Sequence, residues 1–307
     1  MAHVSRRTAL LSAATAPVAL ALPAAAQSGA GGGGLASSNA RGFSVGALEA
    51  TTLLAGSVRR DEPQSIFGMN VSAEEFAAVS DENFISTDFA QFFFTPTVVR
   101  AGDNVILFDT GLNAAGMEVA LGEAGYAPAD ITHVVITHMH GDHIGGMTTE
   151  AGELTYANAE YITGQVEFDH WAGAGNENFE AKVRPFAERF AFIGDGDTIA
   201  PGITAVGAFG HTPGHMTYML DSEGQQLLIT ADLANHYVWS LGYPDWEVRF
   251  DMDKEAAAAT RRRILGMLAA DKVPMVGYHM PFPAAGFIET RGDGFRYVPV
   301  SYQLMGA

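Results

Sequence analysis

Apolar and polar positions alternate with a period of two along "FSVGALEATTLLAG" (43–56), which predicts a strand or a strand pair. Residues 57–80 are polar apart from a short helical run, "SAEEFAAVS", where Ser72 and Glu75 stand at the spacing of a capping box. "AQFFFTPTVVRAGDNVILFDTG" (90–111) reads as two strands joined at the turn "AGDN". "AAGMEVALGEAG" has helical periodicity and stops at Gly125. "ITHVVITH" (131–138) is a β-branched run without alternation, the pattern of a strand buried on both faces. Further strands are expected at "ELTYANAEYITG", "GITAVGAFG", "MTYMLDSEGQQLLITAD" with a turn at Ser222–Gly224, and "VPMVGYH". Helices are expected at about 165–172, 177–190 and 253–270. The last is acidic at its start and basic further on, as the helix dipole favours. Strands at both ends with helices between them call for sheets covered by helices on their outer faces, an α/β architecture.

The chain has 307 residues, 48% of them hydrophobic and 17% charged, which suits one large core or two modest ones. A formal charge of −18 argues against a nucleic-acid partner, because phosphate binding needs a basic face. No cysteine is present, so disulfides and thiolate metal sites are excluded. Any bound metal must be held by imidazole and carboxylate, ligands that suit zinc, manganese, cobalt or iron.

The beginning of the chain has the order of an export signal. Arg6 and Arg7 precede an apolar, alanine-rich run from Ala9 to Leu22, followed by the small-residue site Ala24–Ala26. "SRRTAL" resembles a twin-arginine signal, with Ala9 where phenylalanine is usual. Residues 1–26 are therefore expected to be a cleaved twin-arginine-type signal peptide, which places the mature protein in the periplasm or outside the cell. The run is too short for a membrane anchor. Cleavage removes two arginines and no acids and takes the formal charge to −20. Residues 27–42, rich in Gly, Ser and Ala, read as a flexible linker, and the folded domain is expected over 43–307.

Against that background "THMHGDHIGG" (137–146) stands out, with His138, His140, Asp142 and His143 inside six positions directly after a buried strand. A strand end fixes the loop, so its side chains can converge at low ordering cost. Three more ligand types stand near strand ends: His211 in "GHTPGHMTY", Asp232 in "LLITADL" and His279 in "VGYHMPFP". Five histidines and two aspartates are enough for two four-coordinate metals sharing one carboxylate.

This order of residues resembles the metallo-β-lactamase superfamily, and the likeness runs from about residue 43 to 307. "NVILFDTG" ahead of the histidine motif is also typical of that family. The resemblance implies an αββα sandwich with metals at one edge between the sheets. It implies that His138, His140 and His211 hold one metal, that Asp142, His143 and His279 hold the other, and that Asp232 bridges them. The implied cofactor is a pair of divalent ions, zinc first, with Mn, Co or Fe as alternatives. An aspartate at 232, where several β-lactam-opening members carry cysteine or serine, points to lactonases, glyoxalase-type thioesterases and phosphotriesterases. "HMPFPAAGFIETRGDGFRYVPVSY" and "GHTPGHMTYMLDSEGQQLLITADL" resemble the methyl parathion hydrolase and exported lactonase group.

The implied reaction is attack by a bridging hydroxide on a lactone, such as an acyl-homoserine lactone, or on an organophosphate triester. Asp142 or Asp232 would handle the proton. No G-x-S-x-G motif supplies a serine nucleophile. His215 and Asp109 are candidates to support ligands from behind, Asp109 with a turn-capping role as the alternative. Phe168, Trp171, His236, Tyr237 and Phe93, with its neighbours Phe92 and Phe94, are candidates to line the substrate pocket. "RRRI" (261–264) is expected on a solvated helix face, paired with nearby acids. The expected partner is a small-molecule substrate, with no nucleic acid and no stable membrane anchor; a homodimer is left open. Two other readings compete. A glyoxalase II-type thioesterase would use Arg291 or Arg296 for a substrate carboxylate. A metal-binding protein without turnover would lack room for a substrate.

Overall fold

The computed structural model describes residues 38–301; the expected signal peptide and most of the expected linker lie outside them. The amino-terminal half runs β1 (Ala40–Val45), β2 (Leu48–Leu53), β3 (Gly56–Asp61), α1 (Ala73–Glu82), β4 (Phe89–Phe94), β5 (Thr97–Ala101) and β6 (Asn104–Phe108). It continues with α2 (Ala114–Glu123), β7 (His133–Ile136), α3 (Gly141–Ile144), β8 (Glu160–Gly164), α4 (Gln165–Ala174), α5 (Glu177–Lys182) and β9 (Phe190–Ile193). The remainder is β10 (Thr198–Ala200), β11 (Ile203–Gly207), β12 (Met216–Ser222), β13 (Gln225–Ala231), α6 (Lys254–Asp271), β14 (Met275–Gly277), β15 (Ala285–Arg291) and β16 (Gly294–Pro299).

Two seven-stranded sheets result, in the orders β1-β2-β5-β6-β7-β8-β9 and β10-β11-β12-β13-β14-β15-β16. Strand alternation decides what each face buries. Ile106, Phe108 and Val135 point into the core shared with the second sheet, where they join Ile203, Ala205, Tyr218, Leu220 and Ile229. Leu107, Val134 and Ile136 point the other way, under Met117, Leu121, Trp171 and Phe179 from the helices. Both faces of β6 and β7 are therefore buried, which is why "HVVI" shows no alternation. On α6, Ala257, Arg261, Ile264, Leu265 and Leu268 form one buried stripe, and Ile264, Leu265 and Leu268 join the core of the second sheet. Helices thus cover the outer faces of two stacked sheets, an αββα sandwich. Among the described residues no helix is long and apolar enough to cross a membrane.

Several sequence expectations change. The first strand begins at Ala40, so residues 40–42 are sheet rather than linker, and β1 and β2 form the expected pair. Residues 57–61, polar in sequence and given no strand expectation, belong to β3, which pairs antiparallel with β4 in a separate ribbon. The segment 90–111 holds three strands rather than two. Pro96, which has no N–H to donate, separates β4 in the ribbon from β5 in the sheet. Of "ELTYANAEYITG" only Glu160–Gly164 is strand, because the chain turns where Ala159 N donates to Tyr156 O. The expected helix 177–190 stops at Lys182 and continues as a 3₁₀ segment, with Pro185 in its first turn and a non-helical Phe186. The β15–β16 hairpin carried no strand expectation. At α1, Ser72 Oγ accepts from Glu75 N at 3.1 Å, half of the expected capping box.

β6 and β7 are parallel neighbours in one sheet, and β13 and β14 are parallel neighbours in the other. Their carboxyl ends open at one edge of the sandwich. Asp109 follows β6, His138 follows β7, Asp232 follows β13 and His279 lies just past β14.

Candidate metal centre

His138 and His140 leave β7 in extended backbone, and His140 is the N-cap of α3, a single turn that carries Asp142 and His143. The turn lies against residues 110–112. A Cβ on Gly145 would fall 2.2 Å from Leu112 O, and one on Gly146 would fall 2.1 Å from Thr110 O, so only glycine permits the approach. The approach brings Asp109 to His143, while Thr110 donates through both N and Oγ1 to His143 O.

Two clusters of ligand atoms result. His138, His140, His211 and Asp232 form one, and Asp142, His143, Asp232 and His279 form the other; within each, the atoms lie within 4.8 Å of one another. In the first, His138 Nε2, His140 Nδ1 and His211 Nε2 are 3.0–3.2 Å apart, and Asp232 Oδ2 is 3.3 Å from His211 Nε2. A tetrahedron with zinc–nitrogen bonds of about 2.0–2.1 Å has edges of about 3.3–3.4 Å, close to this spacing. In the second, Asp142 Oδ2 is 3.6 Å from His143 Nε2 and 3.4 Å from His279 Nε2. His143 Nε2 and Asp232 Oδ1 are 3.2 Å apart, yet both are buried and neither has a hydrogen-bond partner. Buried polar atoms are seldom left so. A cation between them would satisfy both, so the residues fit a pair of divalent metals.

Charge in the cluster agrees. Burial, reinforced by neighbouring imidazoles, holds His138 and His140 well below the usual histidine range, so their lone pairs stay free. Burial works against a proton on His143 and His211 too. For His143 the carboxylates of Asp232, Asp109 and Asp142 outweigh it and hold the group well above its usual range. For His211 hydrogen bonds to Asp232 and Asp251 do the same, raising it to about 9. The carboxylates thus attract positive charge to the place where a divalent ion would sit.

Four of the candidate ligands are fixed from behind. Asp109 Oδ2 accepts from His143 Nδ1 at 2.9 Å, and its two oxygens also accept from the N and Oγ1 of Thr137. Asp109 therefore orients a ligand histidine, one of the two roles open to it in the sequence. His279 Nδ1 donates to Phe93 O at 2.8 Å, and His211 Nδ1 donates to Asp251 Oδ1 at 2.9 Å. His215 is not among the ligand atoms. Its Nδ1 donates to Ala208 O, its Nε2 accepts from Asp232 N, and burial pulls it down to about 3, which keeps it neutral. Asp232 is also held by Asn235 Nδ2 at 2.8 Å.

A cavity of about 420 Å³ opens on the centre, lined by Arg60, Phe92, Phe94, Leu112, Asn178 and Phe250 together with His140, Asp142, Asp232 and His279. Alternation on β4 sends the rings of Phe92 and Phe94 into it, 5.4 and 5.5 Å from the His279 ring, and Phe93 contributes its carbonyl instead. The other expected pocket residues lie elsewhere. Phe168 packs on Phe179, Phe190 and Phe192 under the helices. His236 is buried against Trp239, its Nδ1 accepting from Val238 N and Trp239 N. Trp171 stands edge-on behind His140 at 5.7 Å. Tyr237 borders a separate groove of about 710 Å³ that contains none of the seven ligand residues. Arg291 and Arg296 also border that groove, paired with Glu82 and Glu289, away from the metal cavity. Of the "RRRI" run, Arg262 pairs with Asp245 as expected, but Arg261 is buried and donates to Asp251 Oδ2 at 2.6 Å.

Glu167, Asp251, Asn235 and Tyr278 escaped the sequence reading. Tyr278 stacks at 4.0 Å on His143 and donates to Asp142 O. Only its position beside His279 could have signalled it. Glu167 and Asp251 are single acids in polar segments and carry no local signature.

An αββα sandwich with two clusters of histidine and aspartate at one edge defines a class of metal-dependent fold. The family described as the metallo-beta-lactamase superfamily matches residues 95–275, and the chain belongs to it. An N-acyl homoserine lactonase of Bacillus cereus is 25% identical over 157 residues, 51% of this chain and 54% of that protein. The match thus spans about half the length of that relative. Among solved structures, AidC, a dizinc quorum-quenching lactonase in complex with a product N-hexanoyl-L-homoserine, superposes with a TM-score of 0.80 at 25% identity, covering 86% of this chain and 98% of that one. Hydrolase AbOPH superposes with a TM-score of 0.78 at 20% identity, covering 87% and 99%, which shows the shared fold.

Proposed function

We propose that this protein is a dinuclear metal-dependent hydrolase that opens the ring of acyl-homoserine lactones. The observation that carries the reading is the pair of four-ligand clusters sharing Asp232 and opening onto a cavity walled by Phe92, Phe94, Leu112 and Phe250. The likeness to the Bacillus lactonase and to AidC supports the substrate class. Held by these residues, two divalent cations, zinc foremost, would supply acidification of an attacking water and polarisation of the lactone carbonyl.

The chain supplies the rest. His138, His140 and His211 present ring nitrogens from one side, and Asp142, His143 and His279 complete the other. The side chain of Asp142 is 23% exposed against 4% for Asp232, so Asp142 is the carboxylate that reaches the substrate. In ring opening, water oxygen adds to the carbonyl carbon, the ring C–O bond breaks and the departing oxygen takes up a proton. Asp142 carries that proton from the water to the departing oxygen. The apolar wall excludes water and receives the acyl chain. Arg291 and Arg296, the candidates for a thioesterase carboxylate site, do not face this cavity, which disfavours the thioesterase reading.

Side-by-side turnover of a homoserine lactone and an aryl phosphotriester tests the proposal, with His140→Ala as the blank. The lactone is expected to reach kcat/KM of about 10⁴ M⁻¹s⁻¹ or above while the blank does not. Turnover of the phosphotriester alone would replace the substrate class. Wild type and blank indistinguishable on both would refute hydrolysis of either.

A further inference from the structure

We propose that Glu167 is a positioning residue that serves the first metal cluster and not the second. The inference depends on the reading of the seven side chains as a two-metal centre. Glu167 lies in the first turn of α4 and is fully buried. Its Oε1 accepts from Met139 N at 2.9 Å and from Trp171 Nε1 at 2.6 Å. Its Oε2 accepts from Thr212 Oγ1 at 2.7 Å and from Gly214 N at 2.9 Å. A buried carboxylate is tolerated only when donors meet its lone pairs, and here four do.

Where those donors sit gives the group its role. Met139 lies between His138 and His140. Thr212 directly follows His211. The indole of Trp171 stands edge-on to the His140 ring. One carboxylate therefore ties together the two loops that bring the three histidines of the first cluster to 3.0–3.2 Å from one another. The contact is close: a Cβ on residue 214 would fall 2.2 Å from Glu167 N, so the second loop can lie against α4 only with glycine there.

The other cluster is braced elsewhere. His143 rests on Asp109, His279 on Phe93 O, and the backbone of Asp142 on Tyr278 Oη. Among the described hydrogen bonds none joins Glu167 to Asp142, His143 or His279. A residue that merely stabilised the fold would lower the melting temperature and leave the two metal affinities in their original ratio. A support confined to one cluster changes that ratio.

The test compares wild type, Glu167→Gln and Asp109→Asn. Each is stripped of metal, checked for folding by circular dichroism, and titrated with Zn²⁺ against a competing chelator and with Co²⁺ by absorption spectroscopy. In Glu167→Gln the amide nitrogen is expected on the Thr212 side, where the hydroxyl can turn to accept, leaving Gly214 N–H without a partner. One of two Zn²⁺ affinities should fall by about 10–100-fold and the other stay within about threefold. Asp109→Asn should weaken the other site more, because Asp109 bonds His143 directly and reaches the first cluster only through Thr137, whose Oγ1 lies 3.1 Å from His138 Nδ1. Thr212→Val removes one of the four bonds and should shift the same affinity as Glu167→Gln by less, which keeps the idea testable if that variant does not fold. Equal weakening of both sites, or no change in either, overturns the inference. A wild type that binds fewer than two ions would instead overturn the two-metal reading, and this inference with it.

Discussion

Replacing Asp251 by alanine would strand a guanidinium inside the protein. Arg261 is 1% exposed and has three partners: Asp251 Oδ2 at 2.6 Å, Pro244 O at 2.9 Å and Trp246 O at 3.5 Å. Only the first is charged. Removing one member of a buried ion pair costs about 3–5 kcal/mol, because the remaining charge is neither solvated nor paired. For a chain of this size, at about 2.1 cal/mol/K of unfolding entropy per residue, that is about 5–9 °C in Tm. Asp251 also accepts from His211 Nδ1, so its loss frees the imidazole that it orients, and Zn²⁺ affinity should fall by about 10–100-fold. The two effects separate in Asp251→Ala/Arg261→Met. The stranded charge is gone, so stability should recover by at least about 1 kcal/mol relative to the single variant, while Zn²⁺ affinity stays low. Urea unfolding of the metal-free proteins measures the first quantity without linkage to bound metal, and chelator competition measures the second. Equal stability in the single and double variants would refute the reasoning, since the buried charge would then not be what the mutation exposes.

Three further outcomes are expected. Chelation should abolish turnover and lower Tm, and Zn²⁺ at about 100 times Kd should restore about 2.7 kcal/mol of stability per site; a chelated protein with unchanged Tm would count against metal held by folded-state residues. Burial pulls His236 down from 6.5 to about 3, so below pH 6.5 the unfolded chain binds a proton that the folded chain refuses, and stability falls as pH drops. At pH 5 the loss from this group is about 2 kcal/mol, and His236→Asn should remove it from the difference in unfolding free energy between pH 8 and pH 5; an unchanged difference would show that His236 is not the source. If Phe92, Phe94 and Phe250 receive the acyl chain, each added methylene should raise kcat/KM about fourfold until the cavity is full, following about 0.8 kcal/mol per buried CH₂; a flat chain-length series would place the acyl group elsewhere.

The parts of the fold that were legible share a property: their signals are local. The run "HVVI" is apolar throughout because β7 is covered on both sides, and "DKEAAAATRRRILGMLAAD" carries its acidic start and apolar stripe within its own turns. β3 failed this test, since "GSVRRD" is polar and becomes a strand only because β4 offers it a partner. Arg261 was misread for a similar reason. Nothing within α6 distinguishes it from Arg262, and only the approach of Asp251, ten residues earlier on a different segment, makes one of them buried.

By itself, the sequence picked out seven candidate ligand residues and their places near strand ends, the exclusion of thiolate ligands by the lack of cysteine, and the layered α/β order. Each follows from residue identity and short-range periodicity. Tertiary structure alone decided which nitrogen of each histidine faces inward, which aromatics form the cavity and which carboxylates brace the ligands. A histidine's orientation is set by what holds its other nitrogen, and those holders lie 34, 40 and 186 positions away for His143, His211 and His279. Contacts across such separations leave no pattern along the chain, because they exist only once distant segments have folded against one another.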